Sequence, residues 1–365
     1  MIMQNTWNNT VAFLAPQALV AGDTPANVGG FLTGGVAIVA SAATTADGIT
    51  FSESWSSSSL PEPNTNWYDY TANYGTRPTK RYCYLNNDIT ADTLILGHVT
   101  HAVELFDSYG SDQQWSSRKS PLSDSNESSV HLCLNGHKIN AKGKTMLAAA
   151  ESGGTVYSAN TDFVYGFYGN SKENEVITNA ASMGTNRGGT WVLNGVKLTD
   201  FESIAELKGD VKWSETWSLG SDTTATATEY YRNFRAVLNM KNTSAECVNG
   251  VNIVSNGTFN MDNSSIMSAG SYAVALNDGE FNISGNSEIN GTVIIAGGNK
   301  ISLAGGAKLT GNITIALAGT QPTAGEPVVI TSGAGDADLS ECTIVSADGY
   351  NISVNADNEL VLEVN

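Results

Sequence analysis

The chain has 365 residues, enough for one elongated domain or two compact ones, and charged residues make up only 15% of it. A formal net charge of −18 argues against a nucleic-acid partner or an anionic membrane surface, both of which need concentrated Lys and Arg. Gly, Ser, Thr and Asn are abundant, a composition suited to short strands and turns; helices need Ala, Leu, Glu and Lys in quantity.

Residues 1–50 are Gly/Ala/Thr-rich, with apolar runs at Val11–Leu14 and Gly35–Ala40, and read as an irregular N-terminal segment or a first set of coils. Val11–Ala21 resembles the apolar region of a signal peptide, yet no Lys or Arg precedes Arg77, so the start reads as a fragment boundary or an odd start site. No stretch is apolar and long enough to span a bilayer, so no membrane insertion is expected. Residues 51–80 form a Ser/Pro/aromatic stretch of loop or edge character. Strand character begins at Arg81–Leu85 and continues through Asp88-Ile-Thr90 and Thr93–Leu96. Residues 107–129 are a polar insertion expected to project from the scaffold. Strands resume at Val130–Leu134 and Thr190–Leu193. Two short helices are predicted, Asp200–Lys208 with Asp200 as N-cap and Thr228–Val237.

From Val251 to Leu317 the chain repeats itself. Phe259-Asn-Met261 aligns with Phe281-Asn-Ile283 and Ile301-Ser-Leu303, at steps of 22 and 20 residues. A second apolar column runs through Ile266, Ile289 and Leu309, and a third through Val274, Val293 and Ile313. Each unit holds three short alternating strands separated by turns such as Ser255-Asn256-Gly257 and Asn277-Asp278-Gly279. One unit cannot bury its own apolar face, whereas stacked units can, and this is the arithmetic of a parallel β-helix. Corner asparagines (Asn256, Asn260, Asn263, Asn277, Asn282 and Asn286) are expected to form ladders that satisfy turn amides. The tail, from Pro327-Val-Val-Ile-Thr331 to Glu359–Val364, reads as terminal coils or a meander that closes the open end of the stack.

Several blocks carry a family resemblance. Phe51-Ser-Glu-Ser-Trp55, Arg81-Tyr-Cys-Tyr-Leu-Asn-Asn-Asp-Ile-Thr90 and, most closely, Val130-His-Leu-Cys-Leu-Asn-Gly-His-Lys-Ile139 resemble large surface proteins of gut bacteria with adhesin-like, pectin-lyase-like regions. The resemblance covers about two thirds of the chain in pieces. It implies an extracellular, right-handed β-helix inside a multidomain protein and no particular activity. The chain departs from the pattern in its 107–129 insertion and in showing no anchor module.

The fold expected is therefore all-β: a right-handed parallel β-helix of about 20–22 residues per coil, with loop insertions and short helical segments. It divides into 1–50, a helix over 51–325 with insertions near 107–129 and 200–237, and a cap over 326–365.

Chemistry is thinner. A β-helical hydrolase needs two or three converging carboxylates, and Asp262, Asp278, Glu280 and Glu288 are scattered across turns. Asn160-Thr-Asp162 matches one polygalacturonase motif in isolation. All four histidines, His98, His101, His131 and His137, lie close in sequence around Cys133, and imidazole with thiolate would suit zinc; capping or exposed histidines are the plainer reading. No cofactor is expected. Cys83 and Cys133 sit in similar strand contexts as stacked neighbours, either as buried thiols or as a disulfide.

Aromatic residues outside the regular coils form the more plausible functional surface: Trp67, Tyr68, Tyr70 and Tyr74, Trp115, Trp213 and Trp217. Flat rings beside amides and carboxylates are what a sugar ring requires; the plainer alternative is packing against the helix flank. The expectation is an extracellular or surface-displayed adhesin-like module that binds glycans or a host or bacterial surface protein. The alternatives are a polysaccharide-active lyase or hydrolase and a purely structural stalk.

Overall fold

The computed structural model describes residues 43–51, 53–55, 80–90, 129–146, 164–186, 189–217, 226–233 and 235–364. Two long parallel sheets dominate it, of ten and eleven strands, and together they form a parallel β-helix. One coil shows the plan. Ala236–Lys241 lies in the first sheet, the chain turns at Asn242, and Ser244–Ser255 lies in the second sheet. It turns again at Asn256 and re-enters the first sheet at Gly257–Asp262. Asn242 and Asn256 both take the left-handed conformation, with φ of 48° and 43°. Asparagine is one of the few residues with a side chain that tolerates it, which explains its recurrence at the corners.

Phe259, Phe281 and Ile301 are direct partners in neighbouring strands, as the repeat requires. The other two columns pair with a difference. Ile266 lies beside Ile289 and Val274 beside Val293. Leu309, however, pairs with Ser287, and Val293 continues to Ile315 while Ile313 faces Gly291. A slip of two residues keeps the same side chains inward, so an apolar period cannot distinguish the two registers. The expected second and third strands are also joined. Lys197–Lys208, Ser244–Ser255, Asn286–Ala296 and Lys308–Ala318 are each one long, bent strand of the second sheet, whereas Ser265–Ser268 and Val274–Leu276 are separate, as are Val176–Ser182 and Thr185–Asn186.

Both segments expected to be helical are strands. Lys197–Lys208 contains the first, and Asp200 is a left-handed bend at φ 56° rather than an N-cap. The bent strand buries Phe201, Ile204, Ala205 and Leu207, a spacing that imitates a helix because the strand changes face again between Phe201 and Ile204. Phe201, Ser203 and Ala205 are paired to Cys247, Asn249 and Val251 of the next coil, and that ladder overrides local propensity. The second segment falls largely on Thr226–Asn233, which pairs antiparallel with Asp210–Trp217. Its Thr and Tyr residues suit that strand. This hairpin belongs to neither long sheet.

The core runs the length of the stack, with Phe167, Leu193, Leu238, Phe259 and Phe281 at 0% exposure. Phe259 and Phe281 are stacked with ring centroids 5.1 Å apart. Cys83 pairs with Leu132, and Cys133 with Tyr84, so the two cysteines are offset by one residue and point to opposite faces of the sheet. No disulfide forms between them, and none of the four cysteines is disulfide-bonded. At the C-terminal end Val328–Val329, Leu360–Glu363 and Asn351–Val354 make a separate antiparallel sheet. It brings buried Leu360 and Leu362 together with Ile330 over the last coils. Among the described residues no helix is long and apolar enough to cross a membrane.

Candidate binding surfaces

The hairpin Asp210–Trp217/Thr226–Asn233 places two of the candidate aromatics. Trp213 is directly opposite Tyr230 and Trp217 opposite Thr226. Directly opposed residues share a face, so Val211, Trp213, Glu215 and Trp217 occupy one face together with Arg232, Tyr230, Thr228 and Thr226. Three aromatic positions and two charged ones therefore fall on one side of a ribbon inserted between two coils. Trp67, Tyr68, Tyr70, Tyr74 and Trp115 lie outside the described residues, as do His98, His101, Asn160 and Asp162.

His131 and His137 are separated by the corner at Asn135 and Gly136, both left-handed with φ of 53° and 86°. The strand that would have given them common parity ends there. His131 is buried on the outer face of the first sheet, stacked on Tyr82 at 4.6 Å between ring centroids, with Nδ1 3.0 Å from the Tyr168 hydroxyl. His137 lies past the corner with Nδ1 3.3 Å from Asp88 Oδ1. Among the described residues, no group of three or more His, Cys, Asp or Glu side chains is placed to hold a metal ion.

The carboxylates have separate partners. Asp262 accepts from the Ser284 hydroxyl at 3.1 Å, Glu280 pairs with Arg235, and Glu288 accepts from Asn290 at 2.7 Å. Glu175 is the buried acid that no motif announced. Its carboxylate accepts the backbone N–H groups of Gly136, Asn170 and Lys172 at 2.9–3.1 Å and so ties two successive corners together. Its signal in the sequence is weak, since it merely joins an ordinary polar turn, Ser171-Lys-Glu-Asn174, to the strand that begins at Val176.

Two outward features are periodic. Asn239, Asn260 and Asn282 stack on the outer face of the first sheet, each amide donating to the one before it at 2.8 and 2.9 Å. Asn260 and Asn282, expected at corners, lie inside strands and form a side-chain ladder that Asn239 extends by one coil; at the corners Asn263 accepts the backbone N–H of Asn286 at 2.8 Å. At the nearby corner an open polar groove of about 590 Å³ crosses four coils, lined by Asn242, Asn263, Asn286, Glu288, Lys308 and neighbouring hydroxyls. Beneath it, Ser264 and Ser287 each accept the amide of the residue one coil earlier, Thr243 and Ser264 respectively. Lys308 is held by Glu341 at 2.9 Å, which raises its ammonium further above its usual range.

A second hairpin, Thr44–Ala46/Ile49–Phe51, lies on the outer face of the first sheet near its N-terminal end. Asp47 and Gly48 form its tight turn, both with positive φ, which suits an Asp-Gly pair. It buries Phe51, Tyr84, Cys133 and Tyr168 as a small core outside the main one. Burial pushes the Cys133 thiol up to about 11, and burial with the nearby Asp47 charge moves the Tyr168 phenol upward too. Neither group ionises near neutral pH. Sequence reasoning missed this face, although Tyr82-Cys-Tyr84 and Val164-Tyr-Gly-Phe-Tyr168 carried its aromatic residues in plain view.

No protein family, curated protein or solved structure matches this chain.

Proposed function

We propose that this chain is an extracellular, surface-displayed module that binds glycans through aromatic residues on a rigid β-helical shaft. The observation that carries the reading is the register of the Asp210–Trp217/Thr226–Asn233 hairpin, which puts Trp213, Tyr230 and Trp217 on one face beside Glu215 and Arg232. Rings for the CH faces of a pyranose, with charged groups for its hydroxyls, are the elements of a sugar site. The acidic, sparsely charged composition and the resemblance of Val130–Ile139 to adhesin-like surface proteins support an extracellular setting.

A glycan array run alongside a reducing-sugar release assay on plant and mucin polysaccharides tests the reading. Retention of a glycan that Trp213→Ala and Trp217→Ala abolish, with circular dichroism unchanged, is the expected result. Release of sugar would overturn it in favour of a polysaccharide-active enzyme. Retention by neither array nor surface-protein pull-down would leave a structural stalk.

A further inference from the structure

The outward columns of the first sheet change chemistry along the shaft. In one, Tyr82, His131, Gly166 and Val192 are followed by Asn239, Asn260 and Asn282. In the next, Tyr84, Cys133 and Tyr168 are followed by Asn194, Lys241 and Asp262. The change coincides with the end of the Thr44–Phe51 hairpin, whose turn residue Asp47 accepts from Asn194 at 2.8 Å and pairs with Lys241 at 3.2 Å.

Gly166 is part of this face. A Cβ there would lie 2.4 Å from the Tyr168 ring, so glycine leaves the space that the ring occupies on its way to His131. Phe51 then sits among these rings, edge-on to Tyr82 at 6.2 Å and tilted against Tyr168 at 5.4 Å. A row of amides, Asn135, Asn170 and Asn194, borders the rings at the adjoining corner.

The hairpin is fastened differently from every coil. Among the described residues its strands pair only with each other. Side chains hold it down: Phe51, the two Asp47 contacts, and Asn170 donating to the Thr44 hydroxyl at 2.7 Å. The same Asn170 has a buried Oδ1 with no hydrogen-bond partner among the described residues. Removing a coil breaks a backbone ladder on both edges; among the described residues, lifting this hairpin breaks none.

We propose that the Thr44–Phe51 hairpin is a displaceable cover, and that the face beneath it is a second carbohydrate-binding face whose rings are bared when Phe51 leaves. Tyr82 and Tyr168 supply the rings, and Asn135, Asn170 and Asn194 the hydroxyl partners. The ligand class rests on the glycan-binding reading above; the opening of the cover does not.

Two measurements on the full chain separate these parts. Site-resolved thiol labelling, read by peptide mass, compares Cys133 under the cover with Cys83 one strand away inside the core. Cys133 should label at least about tenfold faster than Cys83, because local opening precedes global unfolding. Asp47→Ala should speed Cys133 alone, and Phe51→Leu provides a second weakened cover. Equal rates at the two thiols in all three proteins would overturn the cover. The second measurement places Asp47→Ala in a Trp213→Ala/Trp217→Ala background on the glycan array. Gained retention that Tyr82→Ala then removes is expected. No gain in a variant whose Cys133 has become reactive overturns the ligand assignment, and does so independently of the projecting hairpin.

Discussion

The coils between Ala236 and Ala318 and those between Lys80 and Asn194 share two sheets and one continuous core, yet they present different outer faces. In the later coils the outward positions of the first sheet, Val237 apart, carry amides, hydroxyls or charges, and Asn239, Asn260 and Asn282 satisfy one another. In the earlier coils the same columns carry Tyr82, Tyr84, His131, Cys133 and Tyr168, and a hairpin is needed to keep them from water. Inward residues answer to the solenoid, whose demands repeat every coil. Outward residues answer to whatever lies outside, so a change in their chemistry marks where something else docks. The projecting Asp210–Asn233 hairpin leaves the shaft between these two regions, after the last aromatic coils and before the regular ones.

Substitutions can break this comparison. The largest effect is expected inside, where the regions are alike: Phe281→Ala removes a ring stacked on Phe259 at 0% exposure and should cost about 3–5 kcal/mol in urea unfolding. An inward residue of the earlier coils, Phe167, should cost a similar amount. Outward substitutions should then diverge. Tyr168→Ala should cost roughly 2–4 kcal/mol, since it empties a buried position and abandons His131. Asn260→Ala, in the same sheet but among polar neighbours, breaks two side-chain hydrogen bonds and should cost about 1–2 kcal/mol. Equal losses for Tyr168→Ala and Asn260→Ala would erase the distinction between a covered face and a solvated one.

Alkaline pH gives a smaller effect with a defined sign. Burial pushes Cys133 up to about 11 and Cys247 to about 12, from an ordinary value of 9.0. The folded chain therefore keeps these protons after the unfolded thiols have lost theirs. The associated stability is complete below about pH 9 and declines as pH rises through about 11–12. Guanidinium midpoints taken on either side of that window should fall, and the fall should be smaller in Cys133→Ala and Cys247→Ala. An identical fall in the variants would assign it to other groups.

Much of the architecture was legible because stacking imposes its own repetition on the sequence. Phe259, Phe281 and Ile301 align by residue type alone, and the asparagine corners announce left-handed turns. What was not legible has physical causes. A two-residue slip leaves Leu309 and Ile313 still pointing inward, so hydrophobicity cannot register them. A strand that changes face between Phe201 and Ile204 buries residues at helical spacing, so the two imitate an amphipathic helix. The aromatic outer face was hidden for another reason. Tyr82, Cys83 and Tyr84 read as one apolar strand, and only the one-residue offset of Cys83 and Cys133 shows which of them face outward. The candidate surface on the Trp213–Trp217 segment was visible by composition; that Tyr230 shares its face follows from a pairing the sequence hid behind a helical pattern.

The smallest stability effect is the most discriminating. Asp47 is half exposed, and its contacts with Asn194 and Lys241 lie at the rim of the covered face. Such an ion pair contributes about 0–1 kcal/mol and is weakened by salt, so Asp47→Ala should barely move the unfolding midpoint. Global stability belongs to the coils, which this substitution leaves intact. The cover, by contrast, has few other fastenings, and losing two of them should shift its own equilibrium several-fold even where the whole molecule hardly responds. High salt should do the same to the wild type at Lys241, and should do nothing further to Asp47→Ala. If instead the midpoint falls by several kcal/mol along with Cys133 protection, the hairpin is an integral part of the solenoid, and the earlier coils differ from the later ones only in how their core is drawn.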